Sequence, residues 1–146
     1  MQLLTAIYHL ALAFWVGGVA LFTFVLTPIL FRTQPRDLAG KIVGVLFPGY
    51  FRWGVCCCGV ALLCLLVLHG SAFLPTLIIL LVMLAATLFQ ALFIEPRAKG
   101  LKQQIGSFEN TTKEHPLRKE FSKLHGISAI CNLAVLVGGV VLVVLQ

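Results

Sequence analysis

Four long apolar runs separated by short polar breaks organise this chain. Leu3 to Phe31 contains no formal charge and ends at Arg32. Ile42 to Leu68 is apolar apart from interruptions such as Pro48 and Arg52, and Leu74 to Ile94 is again uncharged. The last run is charged through Lys123 and apolar from Ile127 to Leu145. A helix needs about 20 apolar residues to cross a bilayer, so the runs read as spanning helices. The pattern predicts an all-α, integral membrane four-helix bundle in a single domain, with spans 3–31, 42–68, 74–94 and 120–145. The breaks suit this reading. Thr33-Gln34-Pro35-Arg36-Asp37 is a short loop, His69-Gly70-Ser71 a tight uncharged turn, and Ala98 to Pro116 a longer polar stretch. Pro96 disfavours helix at Glu95, so span three is expected to exit there. That leaves connecting loops at 32–41 and 95–119.

Composition rules out the main alternative. The 146 residues are 60% hydrophobic and 11% charged, against about 25% charged in a soluble domain. Too few polar side chains are present to cover a water-soluble fold of this size. The net charge of +6 does not point to nucleic acid, because of where the cations lie. Seven of the eleven Lys and Arg fall between Arg97 and Lys123, and Arg32, Arg36 and Lys41 sit in the first loop. The two loops share a side only if an even number of spans separates them. By the positive-inside rule, both loops are expected in the cytoplasm and both termini outside. The first run has no basic residues before it and is too long for a signal-peptide core, so it is expected to remain as a span.

Polar residues inside spans are costly and mark candidate sites. His9 lies near the outer end of span one, on a stripe with Ala13, Val16, Ala20, Thr23 and Thr27. Two readings stand for it: an interfacial or interhelical hydrogen bond, or a haem or metal ligand. His69, expected on the same side, is the candidate partner of His9 as a haem or metal ligand. His125 opens the fourth span at the other end, and Asn132 is deep enough to require a partner across the bundle. Span three carries a helical stripe of Thr76, Met83, Thr87 and Gln90, expected to face the other helices. Arg52 is expected near Glu95 or at the inner headgroups. Cys57 and Cys64 share a helix face and are candidate soft-metal ligands, although consecutive Cys56-Cys57-Cys58 cannot converge on one ion while helical. Five cysteines in apolar segments do not form a disulfide framework.

No nucleophile triad, phosphate loop or zinc-ligand spacing is present, and an enzyme is not expected. Several short motifs carry a resemblance instead. Leu46-Phe47-Pro48-Gly49-Tyr50-Phe51, Leu30-Phe31-Arg32 with Pro35-Arg36, Glu95-Pro96-Arg97, and Phe121 with His125-Gly126, Ser128 and Asn132 resemble, in order, the motifs of the transmembrane protein 205 family. That resemblance implies a four-span membrane protein, here a compact bacterial one of the inner membrane. Its animal member is associated with resistance to platinum drugs. Pro48, Tyr50, Arg52, Glu95 and Arg97 are the motif positions at the charged side. Span one alone, through His9, Trp15 and Gly17-Gly18, is similar to copper-resistance membrane domains and to the bacterial haem-containing protoporphyrinogen oxidase. That likeness implies haem b at His9.

Three functions are compatible with these residues. The first is transport, efflux or tolerance of a metal or small molecule through the polar interior, with His9, Trp15, Thr23, Thr87, Gln90, His125 and Asn132 as ligand or pathway candidates. The second is a haem-b redox protein with His9 as axial ligand. The third is a non-catalytic assembly subunit. The bilayer is the expected partner, and a homo-oligomer would give a pathway more room than one bundle.

Overall fold

The computed structural model describes residues 1–70 and 72–144. Among them the fold is all-helical, with four helices long and apolar enough to cross a membrane: α1 Gln2–Thr33, α2 Arg36–Leu68, α3 Phe73–Ile105 and α4 Pro116–Val144. Ser71 in the middle turn, and Leu145 at the expected end of the last span, lie outside the described residues. Each helix packs on its chain neighbours, and α4 closes the ring against α1. Phe24, Leu63, Leu92 and Ile130, one from each helix, face outward. An apolar exterior suits lipid as its solvent.

Two helices run further than the sequence pattern suggests. The helix of span three does not end at Glu95: α3 continues through Pro96 to Ile105. Proline lacks an N–H and collides with the carbonyl four residues back. The chain meets this with a wider π-helical turn at Gln90–Ile94, after which α-helix restarts at Glu95 with Pro96 in its first turn. Helix α1 does the same, with a π turn at Leu21–Leu26 ahead of Pro28. The expected loop 32–41 shrinks accordingly. Gln34 is extended, as a residue before proline prefers, and α2 starts at Arg36. At the opposite end α2 stops at His69, a non-glycine residue in the left-handed region with φ 37°.

The interior is graded along the bundle axis. Tyr8, Leu12, Cys58, Leu65, Leu80 and Leu142 fill the uncharged end, where an apolar core is all that lipid-embedded packing requires. Phe22, Phe47, Tyr50 and Phe51 form an aromatic cluster towards the charged end, with Phe22 and Tyr50 ring centroids 4.6 Å apart. Glycines let the helices approach between these zones. A Cβ on Gly138 would lie 2.9 Å from Cγ of Met83, and one on Gly139 would collide with Val16.

Candidate functional site

Between the apolar end and the aromatic cluster, all four helices contribute to one polar centre. Helix α3 supplies Thr87 and Gln90, which are 4% and 1% exposed. The stripe expected on span three, Thr76, Met83, Thr87 and Gln90, is buried throughout. Gln90 opens the π turn, a kind of backbone irregularity often found at functional sites. Helix α4 supplies Ser128, whose hydroxyl donates to Oε1 of Gln90 at 2.6 Å. Asn132 follows one turn on, and Tyr50 of α2 donates its hydroxyl to Asn132 Oδ1 at 3.1 Å. Tyr50 is the partner that the depth of Asn132 requires, and it reaches across from the opposite helix.

Helix α1 brings Trp15, which is 1% exposed. Its indole Nε1 packs where α2 has Gly54, so a Cβ there would lie only 2.8 Å away. Trp53, next to Gly54 on α2 and half-exposed, donates its own indole N–H to the Phe14 carbonyl at 3.3 Å. Thr87 turns its hydroxyl back onto the Met83 carbonyl at 2.9 Å. Trp15, Gly54, Thr87, Gln90 and Asn132 then enclose a space of about 10 Å³, room for about one water.

The other residues singled out in the sequence lie away from this centre. Thr23 sits in the π turn of α1 with a buried hydroxyl that lacks a partner among the described residues. His9 is half-buried near the start of α1, and its Nδ1 pairs with the Thr5 carbonyl of its own helix at 2.8 Å. Nε2 forms no hydrogen bond among the described residues. His69 stacks on Phe73 with centroids 4.9 Å apart. Cys57 and Cys64 are buried thiols of the apolar core. Among the described residues no three His, Cys, Asp or Glu side chains come together to hold a metal ion.

The charged end is tied by contacts that sequence spacing does not reveal. Asp37 accepts from the Ser107 hydroxyl at 2.6 Å and from the Phe108 backbone N–H at 2.7 Å. Arg118 donates to the carbonyls of Phe108 and Thr111. Lys102 lies along the glycine face of α2, with Nζ donating to the Gly40 carbonyl at 3.3 Å and its charge 5.6 Å from the Phe121 ring centroid. It also stands within electrostatic reach of Glu95 and His125. Arg97 pairs with Glu120 at 2.9 Å. Arg52 is exposed and forms no ion pair with Glu95 among the described residues. Pro48 lies inside α2, which passes through it unbroken. Asp37 and Lys102 were not singled out in the sequence. The one available signal was Gly40 and Gly44 four apart on α2, which leaves a groove for a long side chain.

No solved structure matches the chain. An uncharacterised protein of Aquifex aeolicus (strain VF5) is 34% identical to it over 125 residues, covering 86% of this chain and 83% of its own length. A family model matches residues 10–107, which include Trp15, Tyr50, Gly54, Thr87 and Gln90 but not Ser128 or Asn132. The chain belongs to the family described as Domain of unknown function (DUF4149).

Proposed function

We propose that the protein acts in the transport or tolerance of a small molecule or ion, with the mid-bundle polar centre as its ligand contact point. One observation carries this reading. The buried amide N–H groups of Gln90 and the indole N–H of Trp15 face a shared space without a protein partner among the described residues. Buried donors are usually paired. The hydroxyls of Tyr8, Thr23 and Thr76 also lack partners among the described residues, but at this centre the donors border a shared space. Polar groups kept at that depth are a functional-site hypothesis by default. We read this arrangement as closed, since a space of about one water requires the helices around Gly54 to part for any larger solute.

Reconstituted vesicles test it. Flux of a panel of small solutes, covering halides, urea, copper(I) and zinc, is expected to exceed that of protein-free vesicles for at least one member. Equal flux for all of them counts against transport.

We further propose both termini outside and the charged loops in the cytoplasm of a bacterial inner membrane, following the cation distribution. A periplasmic reporter fused after Gln146 is expected to be active; activity of a cytoplasmic reporter there would reverse the topology. Kinship with the transmembrane protein 205 family is part of the same proposal and rests on the four motifs alone.

A second reading is favoured by His9. Metal-bound histidines usually donate their other ring N–H to a carbonyl, which is the arrangement His9 makes with Thr5. A visible Soret band lost in His9→Ala would establish haem binding. A colourless protein from haem-sufficient cells removes it.

A further inference from the structure

The mid-bundle space has a polar lining drawn from all four helices. Its two amide oxygens are already engaged, Gln90 Oε1 by Ser128 and Asn132 Oδ1 by Tyr50. The amide N–H groups of Gln90 and Asn132 and the indole N–H of Trp15 are left over as donors, and the second lone pairs of the two amide oxygens and the hydroxyl oxygens of Tyr50 and Thr87 as acceptors. None of these donors has a protein partner among the described residues, and Gln90 and Trp15 are each 1% exposed. Leaving buried N–H groups unpaired carries their full desolvation cost. The space of about 10 Å³ is the size of one water, and such a site needs two to four polar partners. Gly54 keeps it open, since a Cβ there would press on Trp15 Nε1.

We propose that this space, lined by both donors and acceptors, is a site for a single water-sized hydrogen-bonding ligand. A water molecule, which donates and accepts, uses both halves of the lining, whereas a small halide ion uses its donors alone. A carboxylate or phosphate is too large unless the helices part. The proposal deepens the reading of the polar centre as a ligand contact point, by naming the class of ligand that the closed state takes.

The indole of Trp15 reports on the site directly. The protein has two tryptophans, so ¹⁵N-indole labelling in detergent micelles gives two resonances, assigned with Trp53→Phe. Trp53, bonded to the Phe14 carbonyl, is the internal control. In halide-free buffer, cross-relaxation between Trp15 Hε1 and a long-lived water supports the site and assigns it to water. A saturable shift of the Trp15 resonance on adding sodium fluoride or chloride supports the site and assigns it to halide. Either signal is expected to vanish in Gln90→Leu, or in Asn132→Leu should the first variant not fold. A Trp15 resonance that shows neither response overturns the proposal. Occupancy without solute flux would leave the site standing and remove the transport reading. Flux without occupancy would do the reverse.

Discussion

The indole nitrogen of Trp15 occupies the place beside Gly54 that a side chain would otherwise take, 2.8 Å from where a Cβ would stand. This contact joins α1 to α2 at the wall of the polar centre. Thr87 Cγ2 is 3.4 Å from the same point, so three helices meet there.

Gly54→Ala is therefore expected to destabilise the bundle. Overpacking a close-packed interior costs about 1–3 kcal/mol, read as a lower unfolding temperature in detergent. Gly17, on the neighbouring stretch of α1, has nothing within 4 Å of its Cβ position. Gly17→Ala is expected to be neutral or slightly stabilising, since alanine favours a helix by about 0.5–1 kcal/mol. Equal losses in the two variants would mean that helix propensity, not the Trp15 contact, sets the effect.

Val16 and Gly139 should behave as a matched pair. Gly139→Ala alone collides with the Val16 side chain and is expected to lower stability. Combining it with Val16→Ala should recover part of the loss, giving a coupling of about 0.5–3 kcal/mol for residues in contact. Additive effects would show that α1 and α4 do not touch at this point.

At the charged end, two ionic features are expected to differ in weight. Arg97 and Glu120 are 68% and 41% exposed, and exposed pairs contribute about 0–1 kcal/mol. Glu120→Gln should change the unfolding temperature little. Asp37 instead holds two groups of the connection between α3 and α4. Asp37→Ala is expected to speed proteolytic cleavage within residues 106–115 severalfold while the helices stay intact. Cleavage at the wild-type rate would show that Arg118 alone fastens the connection.

Much of this architecture was legible as pattern. Charge-free runs bounded by Arg32, Glu95 and Lys123 mark four spans, because lipid penalises every interruption. The spacing of Thr76, Met83, Thr87 and Gln90 places that stripe on the inner face. Prolines were the misleading signal. Pro96 reads as an exit, yet it follows a π turn that keeps its helix running, as Pro28 does in α1. Such a turn is an adjustment of backbone geometry that leaves no periodic mark. The pairing of Tyr50 with Asn132 was illegible for another reason: residues on opposite helices meet through three-dimensional packing, which spacing along one helix cannot encode. Lys102 was hidden among loop cations because the helix that carries it was expected to end before it.

The most direct measurement is solute flux through Gln90→Leu vesicles, with the variant's unfolding temperature compared with wild type. Removing Gln90 takes away a ligand-facing donor and frees the Ser128 hydroxyl to bond within its own helix. The account predicts a folded protein of near-wild-type stability whose flux falls to that of protein-free vesicles. A folded variant that retains wild-type flux would contradict the assignment of the polar centre as the ligand contact point.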